Sequence, residues 1–352
     1  MIKYLGSKRR LVPVLGDLAT RAGAVSAADL FTGTTRVAQE WKRRGIEVWA
    51  VDSARYSAVL AECYVATDAE RVDGAALGEA LSHLRCLPGV DGYVTATFSL
   101  ASRYFQEHNA RRIDAVRAHL ARHFAGHPLE PVLLTSLLEA ADRVDSTTGV
   151  QMAYLKGWSA RSFAPLDLRA PALLGGPGHA VRADAVDAVA ALPEVDLAYL
   201  DPPYNQHRYF TNYHVWETLV AWDAPAHYGV ACKRTDARDP ATRSVFNDRR
   251  RAPGALAALV ASVRAGVVVI SGSDEGWASL DDLVAMAEVR GSVRVLAFES
   301  ARYVGARIGI HNQRGEKVGR VGRTRNVEYL VVAGEADLVA RACAGQQVAA
   351  RV

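Results

Sequence analysis

The chain has 352 residues, half of them apolar, and a formal net charge of +4 at pH 7, so it can bury a large core. Its four scattered cysteines, with no C-x-x-C pair, argue against a disulfide framework or a zinc site. A signal peptide and a membrane span are excluded by the absence of a suitable apolar stretch. We therefore expect a soluble cytoplasmic protein, whose mild basicity is compatible with a polyanionic partner.

The first fifty residues predict a βαβ unit. A helix is expected over Val12–Ala22 and a strand over Ala24–Phe31. A second helix over Arg36–Arg44 ends at Gly45, as a C-terminal glycine commonly ends a helix, and Ile46–Asp52 is the second strand. A strand, a short turn, a helix and a strand in this order predict a parallel pair.

A long helical region follows, from about Tyr56 to Ala170. Its clearest helices are predicted over Arg111–Phe124 and Leu129–Val144. Because the region is too long for an ordinary crossover between strands, we expect it to be an inserted helical domain.

The sheet is expected to resume with strands over His179–Asp184 and Val195–Leu200. A helix over Tyr213–Trp222, in which Trp216 and Leu219 are expected in the core, precedes a polar, basic segment, 223–251, without regular pattern. The remaining predicted elements are two helices and three strands: Ala255–Ala265, Val267–Ser271, Asp281–Glu288, Val293–Phe298 and Val327–Val332. This alternation predicts a mostly parallel, doubly wound α/β sheet with one antiparallel element.

The turn after the first strand, Asp29-Leu-Phe-Thr-Gly33, lies where such folds bind a nucleotide-like cofactor. Asp52 ends the next strand, where a carboxylate can accept from ribose hydroxyls. The G-x-G-x-x-G fingerprint is absent, which disfavours a pyrophosphate and favours a phosphate-free adenosine cofactor such as S-adenosylmethionine. Asp184 either accepts from the cofactor's adenine or caps a helix, and Asp29 and Asp52 either bind the cofactor or cap their strands.

The stretch Asp201-Pro-Pro-Tyr204 ends the apolar strand before it. The prolines stop the strand, and Asp201 and the carbonyl of Pro202 offer the acceptors that an exocyclic amino group needs. Tyr204 can cover a flat ring, and Tyr209 and Tyr213 can wall a base pocket. The alternative is that these four residues are only a rigid turn.

Two basic segments are candidates for phosphate contact, with a solvated surface as the alternative for each. The first is Arg249-Arg250-Arg251, and the second lies between Arg302 and Arg325, where seven Lys or Arg residues accompany one acid. The candidate DNA-contacting residues of the second segment are Arg307, Arg314, Lys317, Arg320 and Arg323.

Together these motifs resemble the Dam-like, alpha-group N6-adenine DNA methyltransferases over nearly the whole chain. Lys3-Tyr-Leu-Gly-Ser-Lys8 is similar to the family's N-terminal motif, and Asp29–Gly33 and Asp201–Tyr204 to its cofactor and catalytic motifs. The segments Asn212–Thr218, Ser271–Gly276 and Asn326–Leu330 also resemble family segments. Thr35 departs from the pattern, since many relatives have a second glycine there.

The resemblance implies a seven-stranded, Rossmann-like methyltransferase sheet with an antiparallel final hairpin and a helical target-recognition insert. It implies that the cofactor is S-adenosylmethionine, with no metal, and that its contacts are Tyr4, Lys8, Asp29, Gly33, Asp52, Asp184 and Asp201. The implied catalytic residues are Asp201, Pro202, Pro203 and Tyr204, acting on the amino group of an adenine extruded from the helix.

The expected activity is therefore site-specific methylation of adenine in double-stranded DNA, in the cytoplasm at the nucleoid. A cognate restriction endonuclease is a candidate partner. The alternatives are an RNA adenine methyltransferase and a catalytically silent DNA-binding protein. The predicted organisation is a cofactor-binding domain in two parts, 1–55 and 171–335, a helical insert, 56–170, and a C-terminal tail, 336–352.

Overall fold

The computed structural model of the chain describes residues 2–6, 8–206, 208–301, 310–311, 317–319 and 325–347. The strands are β1 Ser26–Asp29, β2 Glu47–Asp52, β3 Gly178–Arg182, β4 Val195–Leu200, β5 His227–Tyr228, β6 Lys233–Arg234, β7 Ala265–Ser273, β8 Ser292–Ala301, β9 Ile310–His311, β10 Lys317–Gly319 and β11 Arg325–Gly334.

The α-helices lie between these strands and after the last of them. They are α1 Val12–Ala22, α2 Arg36–Arg43, α3 Arg55–Ala61, α4 Gly74–Cys86, α5 Glu107–His123, α6 Glu130–Val144, α7 Ala185–Ala188, α8 Tyr209–Asn212, α9 His214–Ala221, α10 Ala252–Ser262, α11 Leu280–Ala287 and α12 Ala336–Ala342. Among the described residues, no helix is long and apolar enough to span a membrane.

Seven strands form one sheet in the order β3-β2-β1-β4-β7-β11-β8. The pairs β2–β3, β1–β4 and β4–β7 are parallel, whereas β11 is antiparallel to both β7 and β8. The doubly wound, mostly parallel sheet and its antiparallel final pair are thereby confirmed. The last strand of the chain lies between β7 and β8 rather than at an edge.

Strands β4 and β7 are buried along almost their whole length, because both of their faces are covered. In β4 the exception is Asp196 at the exposed start, whose Oδ2 accepts from the amides of Val25 and Ser26 at 2.9 Å. This carboxylate fixes the entry of the chain into β1, which pairs with β4.

The chain divides into two compact units. Unit 1 comprises Met1–Arg9, Thr32–Asp184 and Arg208–Arg243, and unit 2 comprises Arg10–Phe31, Ala185–His207 and Ser244–Val352. The domain boundaries expected from the sequence remain predictions.

Unit 1 contains a large hydrophobic cluster contributed mainly by α3–α6 and α9. Trp216 and Leu219 are each 1% exposed within it, as the spacing predicted. The cluster also buries the rings of Tyr56, Phe98, Tyr104, Phe105 and Tyr213.

Two expectations from the sequence were wrong in detail. The helical insert does not stay helical to Ala170, because after α6 the chain is irregular except for a 3₁₀ turn at Ala160–Phe163. The segment 223–251 is not structureless: β5 and β6 pair as a short hairpin, and three 3₁₀ turns follow it. Two-residue strands are too short to leave a hydrophobic period in the sequence.

Candidate active site

The turn after β1 is closed onto the end of β2 within unit 1. Thr32 donates its amide to the carbonyl of Val51 at 3.0 Å, and the amide of Gly33 donates to Asp52 Oδ2 at 2.9 Å. Gly33 has φ of 52°, a left-handed conformation that glycine adopts without steric cost. The hydroxyl of Ser57 donates to the carbonyl of Gly33 and holds the other side of the turn.

Asp52 is the half-buried carboxylate around which this turn is built. Its second oxygen, Oδ1, accepts from the amide of Ala54 at 2.9 Å, so the side chain bridges the loop after β1 and the loop after β2. Burial raises the pKa of the Asp52 carboxyl, and the amides of Ala54 and Gly33 oppose that rise by stabilising the charge.

Thr35, the residue that departs from the family pattern, adopts the conformation that a glycine would favour. Its φ is 61° and its ψ is 14° at the start of α2. The cost is offset by hydrogen bonds, because Thr35 Oγ1 donates to the carbonyl of Thr34 and accepts from Gln39 Nε2, both at 2.7 Å. The turn therefore has a left-handed backbone at this position although the residue is threonine and not glycine.

The ring of Tyr4 lies against this glycine turn. A Cβ placed on Gly33 would be 3.0 Å from Tyr4 Cε1. Tyr4 is stacked on Tyr213 with ring centroids 4.9 Å apart and on Tyr209 with centroids 5.1 Å apart. The hydroxyl of Tyr213, whose side chain is fully buried, accepts from the amide of Leu5 at 2.5 Å.

Glu217, on α9, is a buried carboxylate that the sequence patterns did not single out. It is 1% exposed, and its Oε1 accepts from the amide of Arg55 at 2.7 Å, at the start of α3. Burial raises the pKa of Glu217 to about 7, against the opposing effect of the Arg55 amide and guanidinium. This side chain anchors the loop that runs from Asp52 into α3.

In unit 2 the Asp201–Tyr204 motif directly follows β4. Asp201 and Tyr204 are partly exposed, and Pro202 is buried. The carbonyl of Tyr204 accepts from the amide of Trp277 at 3.1 Å, which holds the turn against the loop after β7. Asp29, at the end of β1, is 1% exposed, and the amide of the next residue, Leu30, donates to the carbonyl of Tyr199 in β4.

A small pocket, with a volume of about 30 Å³, opens beside this turn. Its walls are mainly apolar, and Ser271 Oγ, buried in β7, has no hydrogen-bond partner among the described residues. The residues that line it include Pro202, Tyr204, Phe246, Ser271 and Trp277.

The other predicted cofactor residues lie in unit 1. Lys8 is 7% exposed, and Asp184 is half-buried between β3 and α7. Lys3, the first residue of the N-terminal motif, forms ion pairs with Asp142 at 3.1 Å and Asp145 at 3.2 Å.

The first predicted DNA-binding segment is exposed. Arg249, Arg250 and Arg251 precede α10, and the amides of Arg250 and Arg251 donate to Asp248 Oδ1. Of the second segment, Arg307, Arg314, Arg320 and Arg323 lie outside the described residues, as does the side chain of Lys317. These assignments stay predictions.

Phe246 and Trp277 were missed by the sequence reasoning. Each is a single aromatic residue in a polar stretch, and that isolation is the signal that could have found them. The Phe246 ring meets Phe31 edge-on at 5.2 Å between centroids. In the described part of the chain, no three His, Cys, Asp or Glu residues are grouped to hold a metal ion.

A family model described as D12 class N6 adenine-specific DNA methyltransferase matches residues 4–249. The chain belongs to this family. Membership confirms the expected activity, N6 methylation of adenine in DNA, and favours it over the RNA alternative. The family assignment is also consistent with the observed sheet. The matched residues include the glycine turn that follows β1 and the Asp-Pro-Pro-Tyr motif that follows β4.

Curated relatives agree with the family assignment. The D12 class chain is 29% identical over 318 residues to type II methyltransferase M.NlaIII of Neisseria lactamica, covering 86% of this chain and 92% of the relative. It is 28% identical to type II methyltransferase M.CviAII of Paramecium bursaria Chlorella virus 1, with the same coverage of 86% and 92%.

Among solved structures, precorrin-6y C5,15-methyltransferase from Geobacter metallireducens GS-15 aligns with a TM-score of 0.28 at 10% identity, over 94% of this chain and 93% of that chain. So low a score carries no argument about fold or activity. The D12 class assignment depends on the family match and the curated relatives.

Proposed function

We propose that this D12 class enzyme transfers the methyl group of S-adenosylmethionine to the N6 amino group of an adenine extruded from duplex DNA. The observation that carries the proposal is the position of Asp201, Pro202, Pro203 and Tyr204. They follow the buried strand β4 directly, and Pro202, Pro203 and Tyr204 border a pocket with apolar walls. In open α/β sheets, ligands bind beyond the carboxyl ends of the strands.

The donor set of unit 1 fits an adenosine cofactor with a charged amino-acid tail. Asp52 supplies carboxylate acceptors for ribose hydroxyls at the end of β2, and Gly33 allows close approach of the backbone. Tyr4 supplies an aromatic face beside that turn, and Lys8 supplies an ammonium for the cofactor's carboxylate. Asp29, Asp184 and Asp201 complete the proposed cofactor contacts.

S-adenosylmethionine supplies an electrophilic methyl group when bound. Asp201 and the carbonyl of Pro202 would accept hydrogen bonds from the target amino group, which keeps its nitrogen lone pair from delocalising into the ring. Tyr204 would stack on the base, and Pro203 fixes the turn that aims these groups. Catalysis then depends on positioning and electrostatics.

The two curated relatives are named type II methyltransferases. By analogy we infer that this enzyme is site-specific, belongs to a restriction-modification system and acts alongside a cognate endonuclease. Its DNA substrate would place it in the cytoplasm, at the nucleoid.

The test is methyl transfer from labelled S-adenosylmethionine to plasmid DNA, followed by nucleoside analysis. We expect label in N6-methyladenine, and Asp201→Asn should lower kcat by at least about 100-fold with an unchanged unfolding curve. Asp187→Asn, on the exposed side of α7, is the matched control and should retain activity. An active Asp201→Asn enzyme would remove Asp201 from the catalytic residues, and label in RNA alone would overturn the substrate.

Cofactor binding has a separate readout. Calorimetric titration with S-adenosylhomocysteine in the absence of DNA should show at least about tenfold weaker binding for Asp52→Asn. Equal binding by this variant and by Asp187→Asn would contradict the assignment of Asp52 to the ribose.

A further inference from the structure

The first turn of α3 holds two of the proposed cofactor contacts of unit 1 by hydrogen bonds. The amide of Ala54, the N-cap residue of the helix, donates to Asp52 Oδ1 at 2.9 Å. The hydroxyl of Ser57, the third helical residue, donates to the carbonyl of Gly33. Because both donors belong to one helical turn, a shift of that turn would displace Asp52 and Gly33 together.

A third proposed cofactor contact also meets this turn. The side chain of Tyr56, the second residue of α3, is fully buried, and its hydroxyl lies 3.4 Å from the hydroxyl of Tyr4. The two rings are tilted relative to each other, with their centroids 6.4 Å apart. Since the ring of Tyr4 also lies against Gly33, the first turn of α3, Tyr4 and the glycine turn pack as one unit.

Glu217, on α9, fixes the first turn of α3 from outside that helix. Its Oε1 accepts from the amide of Arg55, the first helical residue, at 2.7 Å, and its Oε2 lies 4.0 Å from the Arg55 guanidinium. The amide of Tyr56 also lowers the pKa of the Glu217 carboxyl by stabilising its charge. Ala54 has no side-chain oxygen for these amides, so Glu217 does what the side chain of an N-cap residue usually does.

The helix that carries Glu217 is itself held near both of its ends. Near the start of α9, the amide of Val215 donates to Gln151 Oε1 at 3.0 Å. Near its end, the guanidinium of Arg117 donates to the carbonyl of Leu219 at 2.6 Å. α9 therefore offers a fixed base, and the Glu217 carboxylate sets the position of α3 relative to that base.

We propose that Glu217 is a positioning residue for the bound cofactor. By holding the amide of Arg55, it keeps the first turn of α3 where three contacts can meet S-adenosylmethionine, namely Tyr4, Gly33 and Asp52. The proposal rests on the proposed function, since it takes those three residues as cofactor contacts. Glu217 acts through them and does not touch the reacting atoms.

Asp114, on α5, provides the matched control for a purely structural carboxylate. It is 2% exposed, and its two oxygens accept from the amides of Val94 and Thr95 at 2.9 and 2.8 Å. Like Glu217, it therefore holds backbone amides at the start of a helical turn of unit 1. That turn, the π-helical segment Thr95–Leu100, contains none of the proposed cofactor contacts. Loss of Asp114 should cost stability without displacing the cofactor residues.

The test measures S-adenosylhomocysteine binding to the whole chain by calorimetry, without DNA, on variants whose folding is checked by chemical denaturation. Glu217→Ala should bind at least about tenfold more weakly than wild type, because small misplacements of positioning groups are costly. Asp114→Ala should stay within about threefold of wild type, because its site is independent of the cofactor contacts. Equal affinities of the two alanine variants would overturn the proposal.

A second pair of variants removes the amide instead of the carboxylate, and it decides the matter if Glu217→Ala does not fold. Arg55→Pro deletes the donor at the first helical position, where proline is tolerated. Ala54 already has the extended backbone that a following proline requires, with φ of −74° and ψ of 134°. Arg55→Ala loses the same side chain but keeps the amide. The proline variant should bind S-adenosylhomocysteine at least about fivefold more weakly than the alanine variant, and equal binding would contradict the proposal.

Steady-state methylation of plasmid DNA separates positioning of the cofactor from a role in the chemical step. Glu217→Ala should raise KM for S-adenosylmethionine about tenfold and keep kcat within about threefold of wild type. The reason is that it loses binding that the ground state and the transition state share. A fall in kcat with unchanged KM would show that Glu217 does not act by positioning the cofactor.

Failure of this inference can be separated from failure of the proposed function. Wild-type protein that binds no S-adenosylhomocysteine and transfers no methyl group to DNA would overturn the proposed function. Wild-type protein that does both, while Asp52→Asn loses affinity for S-adenosylhomocysteine and Glu217→Ala does not, would overturn the role of Glu217 alone.

Discussion

The amide of Gly33 donates a hydrogen bond to the carboxylate of Asp52 at 2.9 Å, so the turn after β1 and the end of β2 are joined directly. The same carboxylate accepts from Ala54, and Glu217 in turn holds the amide of Arg55. A disturbance at any of these positions should therefore reach the proposed cofactor contacts.

Gly33→Ala should weaken cofactor binding more than it weakens the fold. Its Cβ would press on Tyr4 at 3.0 Å and displace the ring from its stack. We expect at least about tenfold weaker S-adenosylhomocysteine binding by calorimetry, because small misplacements of positioning groups are costly. Unfolding free energy should fall by about 1 to 3 kcal/mol from the left-handed backbone and the contact.

Gly45→Ala is the control for that variant. Gly45 also has positive φ, 80°, but a Cβ there would meet nothing within 4 Å. It should lose about 1 kcal/mol of stability and keep its cofactor affinity. Equal cofactor affinity in the two variants would show that contact with Tyr4 does not matter.

Thr35 should tolerate glycine better than valine. Glycine relieves the left-handed strain, about 1 kcal/mol, but removes the bond from Gln39. Valine keeps the strain and loses the same hydrogen bond from Gln39. By chemical denaturation we therefore expect Thr35→Val to be about 1 kcal/mol less stable than Thr35→Gly, and Thr35→Ser to resemble wild type. A valine variant as stable as the glycine variant would contradict this account.

Glu217 should make the stability of the fold depend on pH. Its pKa rises from 4.5 to about 7 on folding, so its contribution is fully present below pH 4.5 and is lost as the pH rises through 7. The loss amounts to about 3 kcal/mol. Arg55 and Arg234 face this carboxylate and stabilise its charged form.

Glu217→Gln removes that titration. The unfolding free energy of the variant minus that of wild type should therefore rise by about 3 kcal/mol between pH 4.5 and pH 8, because only wild type loses stability over this range. Because only the change of this difference with pH is used, any pH-independent effect of the introduced glutamine on the unfolding free energy cancels. Glu107→Gln, at an exposed site on α5, should give a curve parallel to that of wild type. A difference in unfolding free energy between Glu217→Gln and wild type that does not change with pH would show that the Glu217 carboxyl does not cause the pH dependence.

Ser271→Ala separates a substrate contact from a structural role in the pocket beside Tyr204. The buried hydroxyl has no hydrogen-bond partner among the described residues, so its removal should leave the unfolding free energy unchanged or raise it by about 1 kcal/mol. If the hydroxyl bonds the substrate, kcat/KM for methyl transfer should fall about threefold to tenfold. Ser262→Ala, exposed at the end of α10, should change neither quantity. A stable variant with wild-type kinetics would remove Ser271 from the site.

The sequence predicts the candidate site residues that lie at the carboxyl ends of strands. Asp52 ends one apolar run and the Asp201–Tyr204 motif directly follows another, and open α/β sheets bind ligands beyond the carboxyl ends of their strands. It could not predict Glu217, because a glutamate in an amphipathic helix shows nothing of a backbone amide 162 positions earlier in the chain. The surroundings of the buried Tyr104 hydroxyl could not be predicted either, since it lies 2.7 Å from the carbonyl of Gln151 and 3.0 Å from that of Ala231, and carbonyl groups carry no residue identity.

The position of β11 in the sheet constrains how unit 2 can be made. β11 pairs with both β7 and β8, so neither strand can form these backbone hydrogen bonds before residues 325–334 are present. As the chain leaves the ribosome, the backbone groups along these edges remain open until the last strand arrives. Open strand edges recruit other chains. β11 therefore protects the edges of β7 and β8 from pairing with other chains, and chains that end before residue 325 would be prone to aggregate.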